Sequence, residues 1–220
     1  MQKISISSEL KSLCPKLRLC CISAEVNVVS TSPSLFSEIA SQIESIKRSV
    51  SIETIRNIST IGASRIAYKL CGKDPARYRL SAESLLRRVV SDKGLYYINN
   101  VVDQLNLVSI TTGFSIGGYD ADQIKGDIVF GIGCSNEPYS GIGRGELNIE
   151  FLPVFRDDFG AFGTPTSDSQ RTEVTDKTSN FLMILIDFGG DDLLDEASLL
   201  SERLLIEYCQ ANKVEILIIE

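Results

Sequence analysis

Apolar positions recur along this chain with periods that separate strands from helices. Lys3–Ser7 alternates and reads as a short strand, and the β-rich apolar run Leu17–Val29 reads as a strand or a hairpin. Ser32-Pro33-Ser34 starts a helix, because proline is tolerated in a first turn and serine can cap it. Leu35, Ile39, Ile43 and Ile46 then share one face, with Glu38, Glu44, Lys47 and Arg48 on the other. Further helical stretches lie around Ile52–Asn57 and at Ser59–Leu70, the second broken by Gly72 and by the step before Pro75. Ser81 is placed as the cap of the next helix, with Leu85, Leu86, Val89 and Val90 inward and Arg87-Arg88 outward. Ile128–Ile132, two arms around a turn at Asp157-Asp158, the continuous apolar run Phe181–Phe188, and Val214–Ile219 read as strands. Thr164–Lys177 reads as irregular, and Leu193–Ala211 as an amphipathic helix. A helical layer on a β-rich centre predicts an α+β fold.

The stretch Gly94–Asp127 departs from these patterns. Between Leu95 and Tyr119 its only charged residue is Asp103. A helix from Asn99 or Asn100 to about Thr112 must therefore be mostly buried, together with Asn99, Asn100, Asp103, Gln104 and Asn106. Buried polar side chains are costly unless hydrogen-bonded to protein, water or ligand. Asn99, Asp103, Asn106 and Ile110 fall at i, i+4, i+7 and i+11, on one face. That stripe fits ligand contact, and equally an internal network that caps a neighbouring loop. A glycine loop through Gly113, Gly117, Gly118 and Tyr119-Asp120 is expected to form the lip of the site.

Composition narrows the chemistry. At 220 residues, 43% hydrophobic and 23% charged, the chain can bury a sizeable core in a single domain spanning 1–220. No apolar run approaches a membrane span, and the start has no apolar stretch suited to a secretory signal, so a cytoplasmic protein is expected, with no membrane contact. The six cysteines form no C-x-x-C pair and read as reduced thiols. No metal site and no cofactor is expected. There is no histidine, which excludes Ser-His-Asp and Cys-His nucleophiles. Gly113-Phe114-Ser115-Ile116-Gly117 matches the nucleophile-elbow spacing but lacks both the strand-to-helix context and a histidine. Gly141–Gly145 lacks the Gly-Lys-Ser/Thr of a phosphate loop and runs into Glu146-Leu147-Asn148-Ile149, which alternates like a strand. The net charge is −7, yet Arg65–Lys93 carries eight bases against three acids. That zone suits either a solvated helix face or a nucleic-acid contact through Arg79, Arg87 and Arg88.

Several ordered motifs resemble a known family. They are Asp74-Pro75-x-x-Tyr78-Arg79-x-Ser81-x-Glu83-x-Leu85-Leu86-Arg87-Arg88, then Gly94-Leu95-x-x-Ile98-Asn99-Asn100-x-Val102-Asp103-x-x-Asn106, then Gly117-Gly118-Tyr119-Asp120, and downstream Asp168-x-x-x-Thr172-x-Val174-Thr175-x-x-Thr178-x-Asn180. Together they resemble the tRNA-binding and editing module, B-three/B-four, of the phenylalanyl-tRNA synthetase beta chain, and more closely free-standing bacterial proteins made of that module. The resemblance covers roughly Ile58 to Cys209, so residues 58–210 form an editing-domain-like core and 1–57 an N-terminal strand and helix layer. It implies a β-rich core covered by helices, and a partner that is tRNA or aminoacyl-tRNA. The function implied is tRNA binding with hydrolysis of mischarged aminoacyl-tRNA by a free-standing editing deacylase; the alternative is a non-catalytic binder of tRNA or of a free amino acid. Asn99, Asn100, Asp103, Asn106, Gly117, Gly118 and Tyr119 are the substrate-binding candidates. The synthetase has a histidine where this chain has Gly117, so Asp120, Glu146 and a hydroxyl of the tRNA's terminal ribose are the candidates for holding water.

Overall fold

The computed structural model describes residues 2–220. In chain order its elements are β1 (Ile4–Ile6), α1 (Ser8–Leu13), β2 (Arg18–Glu25), α2 (Pro33–Ser49), α3 (Ser59–Leu70), α4 (Ser81–Val90), α5 (Asn100–Thr112), β3 (Ser115–Asp120), β4 (Ile128–Ile132), β5 (Ser140–Gly141), β6 (Gly145–Glu146), β7 (Pro153–Asp157), β8 (Gly160–Gly163), β9 (Asn180–Asp187), α6 (Leu194–Cys209) and β10 (Asn212–Ile219). Single 3₁₀ turns occupy Ile55–Asn57, Ala121–Gln123 and Gln170–Thr172.

Two four-stranded sheets organise the fold, in the orders β1-β4-β7-β8 and β10-β2-β9-β3. Only β1 and β4 run parallel among these pairs. Strands β2, β9 and β3 of the second sheet are buried on both faces, whereas its edge strand β10 is largely exposed, and the period of 2 along the strands sorts their side chains. From β2 and β9, Leu19, Cys21, Leu182, Ile184 and Ile186 turn toward the first sheet, where they meet Phe130, Phe155 and Phe162. Cys20, Ile22, Phe181, Met183 and Leu185 turn the other way, toward the helices, where Val101, Leu105 and Val108 of α5 and Leu204 and Leu205 of α6 cover them. The layers are therefore helices, sheet and sheet: the expected α+β architecture with a β-rich core under helices. Among the described residues, no helix is long and apolar enough to cross a membrane.

Three local expectations are corrected. The lip of glycines is strand β3, at the edge of the second sheet and paired to β9 from Ser115↔Ile186 to Asp120↔Phe181. Its glycines answer packing, not a turn. A Cβ on Gly117 would stand 2.0 Å from the Tyr119 hydroxyl, and one on Gly118 would stand 2.6 Å from Leu105 Cδ1. The cap of α4 is Leu80, whose extended backbone precedes Ser81 without a side-chain cap. Glu146–Ile149 forms no continuous strand, since β6 ends at Glu146.

Candidate functional site

Helix α5 begins with Asn99 as its N-cap, the Asn99 Oδ1 accepting the Val102 N–H at 2.9 Å. Asn100 is 2% exposed and serves another segment: its Oδ1 accepts the Val29 N–H, and its Nδ2 donates to the carbonyls of Asn27 and Tyr208, each at 2.9 Å. Asp103 accepts the Thr31 hydroxyl at 2.5 Å and the Ile98 N–H at 3.0 Å. Burial raises its carboxyl above the usual range, while these two donors pull it back. These three side chains thus pin the linker between β2 and α2 and the approach to α5. They do not meet in an open site. Gly113 ends α5 in the left-handed conformation at φ 75°, donating its N–H to Ser109.

The next turn of the same helix reaches a cavity. Val102, Leu105 and Asn106 of α5 face a space of about 500 Å³ bounded by α4, by Ile116 and Gly118 of β3, by Phe181, and by the loops around Ile142–Arg144 and Thr164–Val174. Leu105, Ile116 and Phe181 give it an apolar floor. Arg88, Tyr96 and Ile98 stand at its edge, with Tyr96 64% and Ile98 61% exposed. The side chains of Asn106, Arg144 and Glu173 make no hydrogen bond or ion pair among the described residues, so polar groups of both signs are left for another molecule.

The loop that carries Asp168 into this cavity is braced from several sides. Thr164 Oγ1 accepts the N–H groups of Thr166 and Ser167 at 3.1 and 3.0 Å, and the hydroxyls of Tyr68 and Thr166 bond at 2.9 Å. Ile142 donates its N–H to the Asp168 carbonyl at 2.9 Å, and Ser169 donates to Phe162 at 2.8 Å. Asp168 Oδ2 accepts the Gly118 N–H at 3.2 Å, while its buried Oδ1 has no partner. Tyr119 adjoins the carboxyl from the core and favours its charged form, but makes no aligned bond, so the phenol oxygen is unpartnered too. Burial dominates and raises the Asp168 carboxyl to about 7.

The residues anticipated from the sequence divide accordingly. Asn106 and Gly118 line the cavity. Gly117 and Tyr119 face the opposite side of β3, with Tyr119 fully buried between the sheets and edge-to-face with Phe162 at 4.9 Å. A side chain at position 117 would therefore point away from the cavity. Asp120 is 7% exposed and capped within the fold, accepting the Thr178 hydroxyl at 2.9 Å and the Asp122 N–H at 3.1 Å. Glu146 is exposed and borders a separate depression with Asn148, Phe159 and Arg171. Arg79 and Arg87 turn to Glu83, which is buried and also bonds Arg65 at 2.7 Å. Arg88 stacks on Tyr96, its guanidinium 3.8 Å from the ring centroid, and donates to the Tyr96 hydroxyl at 3.0 Å. Arg144, Asp168 and Glu173 were not among the site candidates; the only hint was that Asp168 and Val174 open and punctuate the downstream motif.

The model of the B3/4 domain family matches residues 63–197, more than half of the chain. The chain belongs to the B3/4 domain family. Every residue that lines the cavity falls inside the stretch matched to the B3/4 domain. Among solved structures, an N-terminal fragment of the phenylalanyl-tRNA synthetase beta-subunit from Pyrococcus horikoshii is similar at 14% identity and a TM-score of 0.49, over 99% of this chain and 50% of that one. The chain thus spans about half the length of that fragment. None of the curated proteins matches it.

Proposed function

We propose that this B3/4 domain binds the aminoacyl end of a charged tRNA in the cavity and hydrolyses the ester. The composition of the cavity wall carries this reading. An aminoacyl ester joins an ammonium group, a polar carbonyl and an amino-acid side chain within a few bonds. The wall offers an apolar floor beside acids, cations and hydroxyls. At the edge, Arg88 over Tyr96 is an exposed cation–aromatic pair of the kind on which an unpaired nucleobase stacks. Arg144 adds a positive charge suited to a phosphate.

Hydrolysis requires a positioned water and stabilisation of the developing oxyanion. The proposal moves the water from Asp120 and Glu146 to a carboxylate that borders the cavity. Glu173 is exposed and unbonded there, so it can take a proton from water without first breaking a bond of its own. Incubation with a panel of mischarged tRNAs should release amino acid faster than the spontaneous rate, and Glu173→Gln should lower that rate by about 10²-fold or more. Ester loss at the spontaneous rate on every tRNA would overturn the hydrolytic reading.

One observation favours a second reading, binding without turnover: the chain contains no histidine. On that reading the same cavity holds an aminoacyl group or a free amino acid. A thermal-shift screen against amino acids, with tRNA titrations at rising salt, separates the two. Affinity for tRNA should fall steeply with salt if Arg88 and Arg144 neutralise phosphates.

A further inference from the structure

We propose that Asp168 is the receptor for a primary ammonium group, so that the cavity selects ligands with a free α-amine and rejects those whose nitrogen is acylated. The inference deepens the aminoacyl reading and rests on it.

Asp168 stands on the cavity floor beside Gly118, which is itself packed against Leu105 and the Phe181 ring. It is held in place through both its main chain and its side chain, yet it has no counter-charge. Three other buried or partly buried acids do: Asp187 lies 2.8 Å from Arg18, Asp157 2.8 Å from Arg171, and Glu83 2.7 Å from Arg65. Asp103 and Asp120 have none either, but neutral donors meet both oxygens of each. No lysine or arginine among the described residues lies within 4.0 Å of Asp168. Its aligned donor is the neutral Gly118 amide; the neutral Tyr119 phenol adjoins it from the core, and Oδ1 accepts no aligned bond.

The groups around it leave this vacancy to a ligand. Tyr119 and Tyr139 press from the core, and burial holds both phenols neutral. Arg88 faces the cavity from α4, but its guanidinium is occupied by Tyr96 and by the carbonyls of Gly94 and Lys93. Arg144 and Glu173 face it from the two loops, and Tyr96 from the edge. An ammonium head is compact and has three donors, so it can meet the Asp168 carboxylate from the cavity side while the rest of an amino acid lies over Leu105, Ile116 and Phe181. Because burial raises the carboxyl to about 7, the acid is largely protonated in mildly acidic solution. On binding R–NH3⁺ the carboxyl proton passes to water and the ammonium–carboxylate pair replaces it. No bond of the ligand breaks.

The test is isothermal titration of the full chain with L-leucinamide and L-phenylalaninamide, each beside its N-acetyl counterpart. The range is about pH 5.5 to 7, where an α-amine stays protonated. The free amines should bind about tenfold to a hundredfold tighter than the acetylated forms. Their affinity should rise with pH toward about 7, with proton release detected by comparing buffers of different ionisation heat. Asp168→Asn should lose both the preference and the pH dependence, whereas Glu196→Gln, an exposed acid on α6 outside the cavity, keeps both. Equal binding of free and acetylated amides, or a folded Asp168→Asn that keeps the preference, overturns the inference and leaves the cavity reading standing. Binding of neither class overturns both. If Asp168→Asn fails to fold, the free-versus-acetylated comparison on the wild-type chain decides.

Discussion

Two carboxylates, the buried Glu83 on α4 and the half-buried Asp168 in the loop after β8, lie on opposite terms with their surroundings. Glu83 sits under three guanidinium groups: Arg65 at 2.7 Å, Arg87 at 3.0 Å and Arg79 at 3.7 Å. Asp168 has one aligned amide, a neutral phenol beside it and no counter-charge. The first is a node that ties α3 to α4, and it consumes much of the positive charge that makes Arg65–Lys93 look like a nucleic-acid surface. The second is an unmet demand for a donor. Burial of an acid is thus not informative by itself; what distinguishes structure from site is whether the fold supplies the partner.

Three substitutions probe that contrast, from the largest effect to the smallest. Glu83→Ala removes the shared partner of three arginines and should lower the unfolding free energy by about 3 kcal/mol, at the lower end for a buried pair because the arginines can reach water. Chemical denaturation measures it. Binding of a free amine by the folded variant should be unchanged; if it is lost, Glu83 and Asp168 are not separable. Gly118→Ala adds a Cβ that must displace Leu105 and crowd Phe181. It should cost about 2 kcal/mol and also weaken amine binding, because the displaced leucine enters the cavity. Asp168→Asn should have the smallest effect, and a sign that changes with pH. The folded carboxyl is raised to about 7 from 3.8, so folding takes up a proton between these limits. The stability from the protonated acid is fully present below about 4 and is lost as pH rises through about 7. Asparagine does not titrate, so wild type minus variant stability should fall over that window by about 1 kcal/mol, since water reaching the cavity softens the desolvation. Denaturation midpoints at several pH values check it, and a flat difference would place Asp168 among the satisfied acids.

Much of the fold was legible because periodicity reports burial directly. The bounds of α3, the start of α5 at Asn99 or Asn100 and the strand at β9 follow from apolar spacing and capping chemistry. β3 was not legible, because Gly117 and Gly118 carry a turn signal, whereas their small size answers Tyr119 two residues on and Leu105 on another element. The polar residues of α5 were read as buried and in need of partners, which holds for Asn100 and Asp103 but not for Asn106. The partners of those two include Asn27, Val29 and Thr31, some seventy residues earlier, and helical spacing says nothing about them. Asp168 escaped for the converse reason. It lies in a polar loop that reads as irregular, and only the convergence of Ile142, Gly118 and Phe162 on that loop gives an ordinary aspartate a buried carboxyl oxygen.

The Tyr119 phenol bears on how such chains can diverge. Its oxygen occupies the space where a Cβ at position 117 would stand, and also where one at position 163 on β8 would, at 2.1 Å. The ring is a gauge block between two sheets, and the two glycines are the seats cut for it. The three positions therefore form one unit of substitution: a relative with a side chain at either glycine has to give up the tyrosine, or move it, in the same step. Sequence variation among relatives should show glycine at 117 and 163 retained with tyrosine at 119 and lost with it.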